Sequence, residues 1–430
     1  MKLKFFTLLL IALAIPDAQA TRVDTFVTPD SSFASLQDFI AESSDSLMIA
    51  SYTFGSPDVM NLILEKHEEG VHVEVLVEKS PAGGMPDGDV RILCEFLDND
   101  VTVLLYDGPL KYMHGKYIIR AHESVLVTSE NFGYTGFFPG GDYGNRGWGA
   151  SAHDGSIARG LEEIYEEDRE DSVPFTCTSD NNTISGWNPA GAYTPRFGKK
   201  TFQNQEAELV ISPGSLEKML SLIDSANSSI LVHQFYVYKH WGSVKYDTDD
   251  SAPNPLLEAL IRRARSGVSV RLLLDSTYYN MDEEKSVSNY HTIMYVNGIA
   301  EKEGIPIEAG AIDLDENGLA KMHNKGMIID NSVVLVSSIN WNENSVMRNR
   351  EIGLLISGEA AGYYAGVFES DWSGAIKIGG EGSRSMVSGG GWEDAKGYGL
   401  GFLPAMASLA VLVITVIYFG ARKNKHRVEI

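Results

Sequence analysis

The chain has 430 residues, with 35 Lys and Arg against 58 Asp and Glu, for a formal charge of −23. So acidic a surface excludes long-range electrostatic capture of nucleic acid or anionic membrane, although a local basic site can still sit within it. The two cysteines, Cys94 and Cys177, leave open both a disulfide and a buried free thiol at Cys94.

Residues 1–20 have the pattern of a secretory signal: Lys2 and Lys4, an apolar run from Phe5 to Ile15, and the small-residue site Ala18-Gln19-Ala20. The run is too short to span a membrane comfortably, so cleavage after Ala20 is expected. Residues 21–200 make a first expected lobe. Phe26-Val27-Thr28-Pro29 leads into a helical pattern (Phe33 to Ser43), a strand-like run (Ser46 to Thr53) and a second helix from Pro57 to Glu69 that stops at Gly70. Val71 to Val77 is the next strand, and a helix around Ile164 to Asp168 closes the half; its acidic stretch, Glu162 to Asp171, reads as a solvated face. Thr176 to Gln205, rich in Gly, Asn, Pro and Thr, reads as the connecting loop. Asn181 and Asn227 head glycosylation sequons.

Residues 201–378 repeat this order. Leu209 to Pro213 precedes a helix (Leu216 to Ala226), a strand (Ser229 to Tyr238), a helix (Pro255 to Ser266) stopped by Gly267, and a strand (Val268 to Leu274). A helix around Val367 to Asp371 closes this half. Strands separated by such helices predict an α/β fold of two pseudo-symmetric lobes, each a mixed sheet flanked by helices. Residues 379–399 form a Gly/Ser-rich stalk. Leu400 to Phe419 is uncharged and long enough to span a bilayer, so 400–420 is an expected transmembrane helix. Arg422, Lys423, Lys425 and Arg427, within residues 421–430, place a basic tail in the cytoplasm. The expected protein is a single-pass cell-membrane protein with its globular part outside the cytoplasm.

The repeat extends to chemistry. Met113-His114-Gly115-Lys116 and Met322-His323-Asn324-Lys325 lie 209 residues apart, each followed by an apolar strand-like run and a small polar cluster. The clusters are Thr128-Ser129-Glu130-Asn131 and Ser337-Ser338-Ile339-Asn340, and in each half the Asn falls 17 positions after the His. One half carries one His, one Lys and one Asn. A pseudo-twofold packing would gather both sets around one cleft, supplying two imidazoles and two ammonium groups for a phosphodiester. Metal binding by the histidines lacks other ligands at a suitable spacing, and a Lys two residues away would repel a cation. No cofactor is implied. Asp247, Asp249 and Asp250 lack the remaining ligands and the Gly of a calcium loop.

The second half, His323-x-Lys325-x4-Asp330-x6-Ser337-Ser338-x-Asn340 with Asn349-Arg350-Glu351 beyond, resembles the signature of the phospholipase D superfamily, and the likeness runs from Val23 to Ile378. The resemblance implies a bilobed fold with the active site between two mixed sheets, and no metal. The first motif departs from the pattern. Ala121 stands where the family has Asp, Thr128 where it often has Gly, and Gly147 follows Asn145-Arg146 where Glu is expected. Asp142, 11 residues after Asn131, is a possible replacement, because the same offset separates Asn340 from Glu351.

The resemblance implies that one His attacks phosphorus while the other protonates the leaving alkoxide. Lys116 and Lys325 hold the non-bridging oxygens, and Asn131 and Asn340, with Ser129 and Ser338 beside them, complete the site. Glu351 is expected to accept a hydrogen bond from His323, and on that basis His323 becomes the nucleophile and His114 the acid, although the family usually gives that role to the first motif. Asp330 is expected to cap a strand end. Tyr236, Tyr238, His240, Trp241 and His233 are candidates to line the cleft or to pack as loop aromatics. The expected substrate is a phospholipid or another phosphodiester, with the membrane reached through the C-terminal helix. A nuclease on single-stranded nucleic acid is the alternative, disfavoured by the charge, and a non-catalytic phosphate-binding module is the third reading. Oligomeric state is left open.

Overall fold

Local signals place the helices. In a computed structural model describing residues 20–177, 191–242 and 252–379, α2 (Pro57–Glu68) and α6 (Pro255–Arg265) begin alike. Ser56 accepts from the Val59 N–H, and Asn254 from the Leu256 and Leu257 N–H groups, each just before a Pro at the first turn. They also end alike: Gly70 (φ +96°) and Gly267 (φ +94°) take the left-handed turn that releases the chain into the next strand. The other long helices are α1 (Ser32–Ala41), α3 (Asp87–Asp98), α4 (Gly155–Glu170), α5 (Ser215–Ser225), α7 (Asn289–Glu303) and α8 (Ala360–Ser373). The first half supplies strands β1 (Thr21–Thr28), β2 (Ser46–Ser51), β3 (His72–Glu78), β4 (Thr102–Tyr106), β5 (Tyr117–Arg120), β6 (Ser124–Thr128) and β7 (Asn145–His153). The second supplies β8 (Lys200–Ser212), β9 (Ser229–Gln234), β10 (Ser269–Leu274), β11 (Ile307–Ala311), β12 (Lys325–Ile329), β13 (Val333–Ser337) and β14 (Glu351–Ser357).

These strands stand in the order β4-β3-β2-β5-β6-β7-β1-β8-β14-β13-β12-β9-β10-β11, a sequence that reads equivalently from either end. Within each half the outer three strands are parallel and the remainder antiparallel. The two expected sheets are therefore one. β1 and β8, the equivalent strands, pair antiparallel at the centre and fuse the lobes into a single mixed sheet, which the short strands Ser172–Pro174 beside β4 and Lys321–Met322 beside β7 bring to 16 strands. Lys200 to Gln205, expected as the end of a loop, belongs to this central pairing because its backbone completes the edge of β1.

Three apolar cores follow. One lies in the first lobe around Phe54, Phe96 and Phe132, and one in the second around Leu260, Leu272 and Trp341. The third runs through the seam, where Trp148, Tyr117, Tyr165, Met113, Met322 and Tyr364 pack together. Cys94 on α3 and Cys177 form a disulfide, which settles the choice the sequence leaves open. The signal, most of the stalk, the expected membrane span, the basic tail, the Asn181 sequon and Asp247 to Asp250 lie outside the described residues. Among the described residues no helix is long and apolar enough to cross a membrane.

Candidate active site

Each His-x-Lys segment is pinned at both ends. The N–H of Met113 donates to Glu78 Oε2 (2.7 Å) and that of Met322 to Asp275 Oδ1 (2.8 Å), both carboxylates standing at or just past the C-terminal end of a parallel strand. The segments then dock on the opposite lobe. His114 N–H donates to the Arg350 carbonyl and His323 N–H to the Arg146 carbonyl, each at 2.8 Å. Those arginines are themselves held across the seam. Arg350 Nε donates to Asp168 (2.9 Å) and Arg146 pairs with Asp371 (2.8 Å), while Asp30 of its own lobe holds Arg146 from the other side at 2.6 Å. Asp168 and Asp371 are the matching residues of the two closing helices, so the stretch expected as a solvated face in α4 also contributes a buried carboxylate.

The result is one cleft of about 780 Å³ lined by both His114 and His323, together with Asn340, Tyr52, Tyr112 and Phe235. Tyr52 meets the His114 ring edge-on at 4.7 Å, and Phe235 meets His323 in the same way at 5.0 Å. Lys116 and Lys325 are fully buried behind the histidines, and each donates to the carbonyl of its own His. Lys325 also reaches the Ser129 carbonyl at 3.4 Å. The Asn131 and Asn340 side-chain oxygens are buried without a hydrogen-bond partner among the described residues. Tyr236, Tyr238, His240 and Trp241 line the cleft as candidates, the two tyrosine rings stacked at 4.9 Å. His233 does not line it. It is buried in the seam against Trp148 and Phe368, with Asn324 Nδ2 3.1 Å away.

The carboxylates depart from expectation. Glu351 bonds His114, not His323: His114 Nδ1 lies 2.7 Å from Glu351 Oε2. Glu351 heads β14 at the seam, where its side chain faces the loop of the opposite lobe. It is further held by Ser338 Oγ (2.6 Å), Asn349 Nδ2 (3.0 Å) and Ser345 Oγ. Asp142 is at neither imidazole; its backbone carbonyl accepts from the Tyr193 N–H in the Gly-rich loop. The carboxylate nearest His323 is Glu130, with Oε1 3.4 Å from Nδ1 and Oε2 held by Asn145 Nδ2 at 2.9 Å. Composition around Ser129 contained the signal, since a Glu stands where the second half has the apolar Ile339. Asp330 is remote from the cleft. Its carboxylate accepts from the Asn227, Ser228 and Ser229 N–H groups and caps the start of β9. Ala121 (φ +43°) and His122 (φ +57°) form the same left-handed hairpin turn as Asp330 and Asn331 (φ +50° and +56°), so the loss of that Asp leaves the turn intact.

Burial dominates the electrostatics. It pushes His114 down to about 4, against the attraction of Glu351, and Lys116 down to about 7. His323 and Lys325 are pushed down further, by burial and by the neighbouring lysines. Burial works to raise Glu351, but His114, Lys116 and Ser338 outweigh it and hold the carboxyl below its usual range. Burial raises Glu130 against the pull of Lys325 and Asn145. Burial and like-charged neighbours thus disfavour the positive forms of these side chains, and an anion set among them would favour those forms again.

The profile of the family described as "Cardiolipin synthase, PLD-like domain" matches residues 36–169 and 219–372, more than half of the chain. Among solved structures, the chain is similar to the phosphatidylserine synthase of Haemophilus influenzae Rd KW20, with 12% identity, 82% of this chain and 85% of that one covered, and a TM-score of 0.57. It also matches Nuc, a phospholipase D family member from Salmonella typhimurium, with 17% identity over 36% of this chain and 97% of that one, and a TM-score of 0.33. No curated protein matches the sequence.

Proposed function

Since this chain belongs to the phospholipase D superfamily, we propose that it is a membrane-tethered, extracytoplasmic phosphodiesterase that hydrolyses or transfers phosphatidyl groups through a phosphohistidine. The observation that carries this reading is the pair of imidazoles on one cleft, each with Nδ1 turned to a carboxylate and Nε2 therefore left for substrate. His114 Nε2 attacks phosphorus, and the P–O bond to the leaving group breaks. His323 Nε2–H gives its proton to the departing alkoxide, then takes one from the water or alcohol that displaces His114. The pairing of Glu351 reverses the preference for His323 as nucleophile. The ionised, triply held carboxylate backs His114, where it stabilises the cationic phosphoryl adduct. Lys116 and Lys325 neutralise the non-bridging oxygens, and substrate charge in turn favours the protonated form of His323.

The second reading, a nuclease, draws support from the stacked Tyr236 and Tyr238 and the nearby Tyr52 and Tyr112, which suit bases splayed from a single strand. The full-length protein, assayed in excess chelator against phospholipid vesicles, single-stranded DNA and a chromogenic phosphodiester, separates these. Lipid turnover that survives chelation is the expected result. DNA turnover without lipid turnover makes the protein a nuclease, and turnover lost in chelator but restored by zinc or magnesium overturns the lysine-based mechanism. No turnover of any substrate, with retained affinity for a phosphodiester, identifies a binding module.

A further inference from the structure

The first lobe lacks a Glu at position 147, yet a carboxylate occupies the corresponding place. In the second lobe Asn349 Nδ2 holds Glu351 (3.0 Å), and Ser338 Oγ lies between that carboxylate (2.6 Å) and the Ile352 N–H (3.1 Å). In the first lobe the matching Asn145 Nδ2 holds Glu130 (2.9 Å), and the matching Ser129 Oγ accepts from the Trp148 N–H (3.1 Å). A Cβ on Gly147 would stand 2.7 Å from Glu130 Oε1 and 2.6 Å from Ser129 Oγ, so the Glu130 side chain fills the volume a residue at 147 would need. Glu130 Oε1 and His323 Nδ1 are both buried, have no hydrogen-bond partner among the described residues, and face each other at the ion-pair distance of 3.4 Å.

From this geometry we infer that Glu130 is a positioning residue that has taken over, from a different place in the sequence, the orientation of His323. It keeps the proton on Nδ1 and the Nε2 atom toward the cleft. The absence of a side chain at Gly147 is the steric condition for this arrangement. The inference rests on the proposed two-histidine chemistry, but the ring tautomer can be measured whether or not the chain turns anything over. A purely structural role, as counter-ion to Lys325 and Lys321, would leave the tautomer unchanged.

The test uses Glu130→Ile, because the second lobe carries the fully buried Ile339 at that position and the fold accommodates it there. Nitrogen NMR of labelled full-length protein should show His323 moving from the Nδ1–H toward the Nε2–H tautomer. Loss of a ring-orienting carboxylate should also lower kcat by roughly 10²- to 10⁴-fold with little change in KM. Glu130→Ile combined with Gly147→Glu, which returns the carboxylate to the position it has in the second lobe, should recover at least about tenfold of that loss. A folded Glu130→Ile protein with the wild-type His323 tautomer overturns the inference, as does a folded double variant whose tautomer stays with the single variant. Should the wild-type chain cleave no phosphodiester, the proposed function falls while the tautomer result still decides the role of Glu130.

Discussion

Lys116 and Lys325 show how a single residue is stabilised for function and not for folding. Both ammonium groups are fully buried, and Lys116 is pushed down to about 7. Replacing Lys116 by Met should lower turnover by roughly 10²- to 10³-fold, the usual loss when one preorganised electrostatic donor is removed. The melting temperature should not fall, because burial disfavours this ammonium by more than Glu351 and Glu130 favour it, which is why its pKa is depressed. Calorimetric or thermal-shift unfolding beside steady-state kinetics checks both signs. The same residue makes anion binding pH-dependent. Its pKa is depressed in the free protein and rises when a phosphate sits against it, so binding above pH 7 must be accompanied by proton uptake. Affinity for dimethyl phosphate, singly charged throughout, should weaken by up to about tenfold per pH unit above 7. Titration calorimetry in buffers of different ionisation enthalpy reads the proton directly, and pH-independent binding would show that Lys116 is already charged in the free site.

Among the elements, the helix caps and strand runs repeat so closely that their positions follow from either half alone. Ser56-Pro57 and Asn254-Pro255 start equivalent helices, and Gly70 and Gly267 end them. What the pattern of apolar residues could not supply is pairing between distant segments. Cys94 on the buried side of α3 is equally compatible with a free thiol, and the bond to Cys177 follows from Ser172–Pro174 pairing with β4, which brings the chain back past α3. That disulfide closes a separation of 83 residues. Replacing both cysteines by Ser should cost about 2–4 kcal/mol in denaturant unfolding, chiefly by freeing the unfolded chain. Neither cysteine lines the cleft, so kcat/KM should be unchanged; a loss of activity at full folding would show that α3 controls the site.

At the scale of the molecule, the antiparallel pairing of β1 with β8 makes one sheet of two lobes and puts each His-x-Lys segment on the other lobe's Asn-Arg strand. The proposed tether belongs to this scale as well. Cutting within 379–399 should release a folded, soluble and active domain from membranes, measured by fractionation and assay, and continued membrane association would reveal a second attachment surface. The duplicated order of elements, the paired His, Lys and Asn residues and the family were all legible in the chain, because periodicity, caps and motif spacing are local properties that survive being read one residue at a time. The partners of the imidazoles were not. Glu351 meets a histidine 237 residues away, and Glu130 serves His323 through a space that exists because position 147 has no side chain. Spacing along a chain carries no information about which lobe a side chain faces once two lobes close on each other, so the carboxylates were assigned by packing across the seam.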